Sequence, residues 1–195
     1  MPKVVDPELR RTDIAEAVFR LVAREGVHAA SLRRVATEAG LNVGSVRHYF
    51  ANHEDLLIFA AETMYARVTE RVGEHVAAMD AGADKRASVM KMLSEFLPLD
   101  DRRRDETTIC FAFLAESRLN PELRVLAQKL HRGLRVLVGH ILRGARVHDI
   151  ETNTELVSAM LDGLAFNAVH IAGAPDGERA TDVVGKMLDH LVADR

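Results

Sequence analysis

Apolar residues recur along this chain at intervals of three and four, the spacing of one helix face, and nowhere alternate long enough to make a strand. Ile14, Val18, Leu21 and Val22 mark a first helix that opens at Asp6 and ends near Gly26. Ser31 suits the cap of a short helix carrying Leu32, Val35, Ala36 and Ala39, and Gly40 suits its left-handed stop. A second short segment runs from about Asn42 to Phe50, and Asn52 precedes a long helix with Leu56, Phe59, Ala60, Met64, Val68, Val72 and Val76. The turn Ala81-Gly82-Ala83 leads to a helix with Val89, Met92, Leu93 and Phe96 on one face, broken at Leu97-Pro98-Leu99-Asp100. A helix around Phe111, Phe113 and Leu114 follows. Asn120-Pro121 then reads as cap and first helical position for a stripe of Leu123, Leu126, Leu130, Leu134, Leu137 and Ile141. Thr152 with Glu155 fits a capping box opening a helix through Leu156, Met160, Leu164 and Ile171. Gly173-Ala174-Pro175-Asp176-Gly177 turns the chain into a last amphipathic helix with Val184, Met187, Leu188 and Leu191. The pattern predicts an all-α chain of about nine helices and no sheet.

Composition narrows the chemistry. The 195 residues are 48% hydrophobic and 28% charged, which is globular and not disordered composition. The formal net charge is −3, so any nucleic-acid binding must come from a local patch. The one cysteine, Cys110, excludes an intramolecular disulfide framework and a multi-thiolate zinc site. With neither a membrane-length apolar run nor a signal-type segment after the start, the expectation is a cytoplasmic protein.

Residues 31–53 carry the strongest signal. Two short helices joined by a glycine-containing turn form a helix-turn-helix, whose second helix enters the DNA major groove. Leu32, Val35, Ala36, Leu41 and Val46 can pack the pair on the first helix, and the small Ala36 and Ala39 let the helices approach. Asn42 caps the second helix, while Gly44 and Ser45 keep it slim enough to sit deep in a groove. Arg33, Arg34 and Arg47 against Glu38 alone give the segment a local charge of +2, joined by His48 and His53. Phosphate contacts would supply most of the affinity, and Arg33 with Arg47 or Asn42 are the natural readers of base edges. On charge alone, a merely solvated face explains three arginines as well; the helix-turn-helix pattern favours DNA.

The run Ser31-Leu-Arg-Arg-Val-Ala-x-x-Ala-Gly-Leu-x-x-Gly-x-Val-x-x-Tyr-Phe, followed by Glu54 and Leu56, resembles the N-terminal domain of TetR-family repressors over roughly residues 10–57. The resemblance implies an all-helical homodimer in which residues 1–52 bind an operator and residues 53–195 bind a small-molecule effector and dimerise. It implies DNA contacts from Ser31, Arg33, Asn42, Gly44, Ser45, Arg47, His48 and Tyr49, a set to which Val43 is added. His53 stands where a phosphate-contacting lysine is usual, so that contact should weaken as the imidazole deprotonates near pH ~6.5. Arg47 stands where an aromatic residue is frequent, exchanging apolar packing for an ionic contact.

Beyond residue 88 the chain resembles the BetI-like subgroup more loosely, through Phe96-Leu97-Pro98-Leu99-Asp100, Phe113-Leu114-Ala115-Glu116, Asn120-Pro121-Glu122-Leu123 and Asp162-Gly163-Leu164. An effector pocket needs apolar walls and a few polar groups. Met64, Met92, Phe96, Phe113 and Phe166 suit the walls, and Cys110, Asn167 and His170 the polar contacts; for any one Met or Phe, ordinary core is the commoner explanation. The resemblance implies a dimer interface from the last two helices, through Leu156, Met160, Leu164 and Ala168 with Val184, Met187, Leu188 and Leu191. Burial against the chain's own core is the alternative.

No catalytic function, cofactor or metal is expected. The nine histidines include no His-x-x-x-His pair, no glycine-rich phosphate loop occurs, and Cys110 has no histidine near it in sequence. A helical protein–protein interaction module without DNA binding is the remaining alternative, and it leaves residues 31–53 without a purpose.

Overall fold

The computed structural model describes residues 6–174 and 177–193. Pro175 and Asp176, read above as part of a turn, lie outside them. Among the described residues there are nine α-helices, one 3-10 turn at Val27–Ala29 and no strand. The helices are α1 (Pro7–Glu25), α2 (Leu32–Glu38), α3 (Val43–Tyr49), α4 (His53–Asp80), α5 (Lys85–Ser94), α6 (Asp101–Glu116), α7 (Pro121–Gly144), α8 (Ile150–His170) and α9 (Gly177–Ala193).

Most boundaries are set by the capping chemistry visible in the sequence. A helix leaves its first N–H groups without partners, and a short polar side chain just ahead can accept from one of them. Asp6 accepts from the Glu8 N–H, Ser31 from Arg34, Asn42 from Ser45, and Asn52 from Asp55. Asp84, Asp100 and Asn120 do the same for α5, α6 and α7. Gly40, at φ +66°, stops α2 in the left-handed region.

The start of α8 corrects the capping-box reading. Asp149 is the cap, accepting from the Thr152 N–H at 3.4 Å, and the helix already runs at Ile150. Asp149 sits at φ +44°, a conformation that aspartate tolerates better than most residues, so the local pattern at Thr152 and Glu155 marks the first turn and not the boundary.

Packing divides the chain into two compact units, Met1–Ala66 with Thr108–Ala127, and Arg67–Thr107 with Gln128–Arg195. The division passes through α4, α6 and α7, and the 52/53 boundary read from sequence falls inside the first unit. In that unit α1 packs on α2 and α2 on α3, around the buried side chains Ile14, Val18, Leu21, Val35, Ala36 and Val46. In the second, Leu93, Leu97, Leu134, Val138, Leu142, Val157 and Leu161 form one apolar core with Val184, Leu188 and Leu191 of α9. Those three α9 residues were expected to face a second copy. They are sealed within the chain's own core, and Met160, Leu164 and Met187 pack against its edge. Leu156 is 51% exposed.

The second unit also holds a charged cluster that no local pattern announces. Arg71 of α4 donates to Glu95 at 2.7 Å and forks onto Glu106 of α6 at 2.6 and 3.2 Å, while His75 meets the other Glu95 oxygen at 3.1 Å. Burial pushes the Glu95 carboxyl up, but the hydrogen bonds from Arg71 and His75 outweigh it and hold the group below the ordinary carboxylate range. Glu95 therefore adds stability above the unfolded glutamate pKa of about 4.3, and that contribution fades as the pH falls below it. Replacing Arg71 by Met strands two carboxylates, each about one-tenth exposed, and should lower unfolding free energy at pH 7 by about 3 kcal/mol. In urea melts the gap between wild type and Arg71→Met should shrink below pH 4; a gap independent of pH contradicts this account.

Candidate nucleic-acid interface

The residues expected to meet DNA fall on α2, α3 and the segments bracketing them. Ser31, Arg33, Asn42, Gly44, Arg47 and His48 are exposed, while Val43, Ser45, Tyr49 and His53 are partly buried. Val46 alone among α3 side chains is fully buried, and it fixes the inner face of the helix. Tyr49 meets His48 edge to face at 5.1 Å between centroids.

Ion pairing sorts the arginines, which sequence alone counts as equals. Arg34 forks onto Glu25 of α1 at 2.7 and 2.8 Å. Glu38, counted above against the positive patch, is held instead by Arg24 and Arg20, each with a contact of 2.8 Å. Arg24 and then Arg20 hold its carboxyl down at about 2, so it stays ionised throughout the neutral range. These pairs tie α1 to α2, with three guanidinium groups set against two carboxylates. The guanidinium groups of Arg33 and Arg47 form no hydrogen bond or ion pair with any described residue.

Two of the smaller residues have uses other than those their size suggests. Asn42 accepts from both the N–H and the hydroxyl of Ser45, at 2.8 and 3.1 Å, so its carboxamide oxygen is committed to the cap. Of the residues expected to read base edges, Arg33 and Arg47 keep their guanidinium groups unpaired among the described residues. A Cβ at Gly44 would lie 3.2 Å from that same Asn42 oxygen, so glycine here lets the cap close as well as slimming the helix.

His53 departs most from expectation. It is the first residue of α4, partly buried, and its Nε2 is sealed from solvent without a hydrogen-bond partner. Burial lowers its pKa below the ordinary imidazole value, with Glu116 and Glu54 pulling upward and His28 pushing down. With Nε2 sealed and burial disfavouring the protonated form, His53 is poorly suited to contact phosphate.

The residues expected around an effector divide between the units. Met64, Cys110 and Phe113 belong to the first; Met92, Phe96, Phe166, Asn167 and His170 belong to the second. Met64, Met92 and Phe113 are buried as ordinary core side chains are, and Phe96 and Cys110 are partly buried. Phe166, Asn167 and His170 are exposed near the end of α8, where the Phe166 and His170 rings stack at 4.5 Å. Among the described residues no group of three histidine, cysteine or acidic side chains could hold a metal. No described helix is long and apolar enough to cross a membrane.

Comparison with known proteins decides the family. Residues 14–58 match the model described as bacterial regulatory proteins of the tetR family, and residues 85–193 match the C-terminal domain of BetI-type transcriptional repressors. The chain belongs to the TetR family of transcriptional regulators. It is similar to the HTH-type transcriptional regulator PksA of Bacillus subtilis, with 34% identity over 87% of this chain and 83% of PksA. The fold matches that of a transcriptional regulator from Rhodococcus sp. Rha1 at a TM-score of 0.84 and 26% identity, covering 94% of this chain and 96% of that one. It also matches the multidrug binding protein EbrR complexed with proflavin, at a TM-score of 0.58 and 26% identity over 91% and 99% of the two chains. This TetR-family member is a DNA-binding regulator of transcription. The interaction-module alternative, which leaves the helix-turn-helix without a role, is set aside.

A histidine whose pKa is depressed by folding takes its proton more readily in the unfolded chain, so it costs stability as the pH falls below about 6.5. Between pH 7.5 and 5.5 the wild type should lose melting temperature relative to His53→Gln, which removes the titrating ring. Parallel losses in the two proteins would show that His53 is not held neutral by the fold.

Proposed function

We propose that this regulator is a homodimeric, cytoplasmic repressor that holds a palindromic operator through α3 of each copy and releases it when a small effector binds the helical body. In this reading residues 1–52 carry DNA binding and residues 53–195 carry effector binding and dimerisation, with no catalytic step and no cofactor. The observation that carries it is the sorting of charge on the helix-turn-helix, where the arginines that join α1 to α2 are matched by glutamates and Arg33 and Arg47 are left unmatched. A protein needing only a soluble surface has no reason to keep those two apart from the acids beside them. Ser31, Val43, Gly44, Ser45, His48 and Tyr49 complete the proposed contact surface, with Asn42 as its cap.

Two copies must place their α3 helices about 34–36 Å apart to enter successive turns of one duplex face. An effector that favours another spacing lowers affinity by as much as its own preference between the two forms allows. For the dimer face the support lies with the outer side of α8: Leu156, Met160, Leu164 and Ala168, beside the exposed Gly163 and Phe166. For the effector, the partly buried Phe96 of the second unit is a wall position that core packing does not fully enclose.

Arg33→Ala and Arg47→Ala should each weaken binding to a duplex selected from a randomised pool by about 1–3 kcal/mol and relax its sequence preference. Arg34→Ala should leave that preference intact, and equal losses at all three arginines would contradict the sorting. Leu156→Glu should raise the dimer dissociation constant more than about tenfold in sedimentation velocity, since it places a charge where apolar surfaces meet; an unchanged dimer moves the interface elsewhere. Proflavin, the EbrR ligand, is a fluorescent first probe of the body. If it binds, affinity for the selected duplex should fall about tenfold or more, and binding without any fall contradicts effector-driven release.

A further inference from the structure

An arginine outside the recognition segment is placed to hold that segment at its working angle. Arg11 lies on α1. Its guanidinium carbon is 4.3 Å from the ring centroid of Phe59 on α4 and 5.6 Å from that of Phe50, the residue that ends α3. The two rings lie 5.3 Å apart, tilted at 49°, so one planar cation lies across both. Phe50 is only 2% exposed, and its backbone N–H closes the last turn of α3 on the Val46 carbonyl.

The polar end of Arg11 is poorly served for a merely structural residue. Its Nε is buried without a hydrogen-bond partner, and its ion pair with Glu8, at 3.9 Å, is long. Burying such a group without a hydrogen bond is unfavourable, and leucine or methionine would pack against two rings without that penalty. What arginine adds is a flat cation that stacks on aromatic faces, which the compact ammonium of lysine does not reproduce.

We propose that Arg11 is a positioning residue for operator readout, clamping the end of α3 and the beginning of α4 to α1 so that Arg33 and Arg47 meet base edges in register. The need follows from the size of α3, which has seven residues and one fully buried side chain. Val46 and the Asn42 cap hold its inner face and its start; the Phe50 end is held where Arg11 lies. This inference rests on the DNA-binding reading above and names the residue that sets its geometry.

The test compares wild type, Arg11→Lys, Arg11→Met and Phe59→Leu on two probes. One is a duplex selected by the wild-type protein from a randomised pool; the other is a randomised duplex of the same length. Each is measured between 50 and 200 mM salt, with helicity and melting recorded alongside. Positioning predicts that every variant loses about tenfold of the selected-over-random affinity ratio while the salt slope stays at the wild-type value. Arg11→Lys combined with Phe59→Leu should lose little more than either alone, because both changes break one clamp. If Arg11→Lys binds like wild type while Arg11→Met loses about one unit of slope, Arg11 is a phosphate ligand and the proposal is overturned. Lower melting temperatures with the ratio unchanged overturn it as well, by reducing Arg11 to a staple. Where Arg11→Met does not fold, Arg11→Lys and Phe59→Leu decide the question. A wild-type protein that selects no duplex sinks the DNA-binding reading itself, a result distinct from selective binding that ignores Arg11.

Discussion

A helix of seven residues that buries one side chain cannot orient itself. For α3, Val46 supplies the anchor, and every other constraint is borrowed from residues outside the helix. Asn42 closes its first turn through the Ser45 N–H and hydroxyl, Gly44 leaves room for that closure, and Phe50 ends it beneath the Arg11 guanidinium. Isolated helices of this length are not stable in water, so the functional surface exists only because the surrounding unit imposes it. The long helix α4 begins three residues beyond Phe50 and contributes Phe59 to the same support.

The unit that holds α3 must also leave it charged. Arg20, Arg24 and Arg34 on α1 and α2 are matched with glutamate, while Arg33 on α2 and Arg47 on α3 make no ion pair with any described residue. The Arg20, Arg24 and Glu38 contacts, with Arg34 on Glu25, set three guanidinium groups of α1 and α2 against two carboxylates. Exposed ion pairs of this kind contribute little stability singly, and their value here lies in geometry and in the cations they leave unmatched. In the second unit the same chemistry is buried. Arg71 between Glu95 and Glu106 joins α4 to α6, two of the helices that run through both units.

What the sequence made legible was local. Caps at Asp6, Ser31, Asn42, Asn52 and Asn120, and the stop at Gly40, depend on residues two to four positions apart, and so does the three-and-four spacing of Leu and Val that marks each buried face. Where two local solutions compete, the pattern fails: Thr152 with Glu155 fits a box, yet Asp149 in a left-handed conformation takes the cap one turn earlier. Pairings across the fold left no trace in the spacing. Glu25 lies nine residues from Arg34, and Phe59 forty-eight from Arg11, so neither the sorting of the arginines nor the clamp on α3 could be read before the helices were in place. The stripe on α9 shows the same limit, since Val184, Leu188 and Leu191 have the pattern of an apolar interface and lie in the core. His53 was legible as a departure from lysine, but its burial was not.

Methylation protection at guanine N7 reports directly on side chains in the major groove, where arginine forks onto that atom. On a duplex selected by the wild-type protein, two symmetric sets of protected guanines should appear about one helical turn apart, and both should vanish in Arg33→Ala/Arg47→Ala protein that still folds. Bound protein that leaves every guanine N7 as reactive as in free DNA, or protection that survives loss of both arginines, would contradict the account.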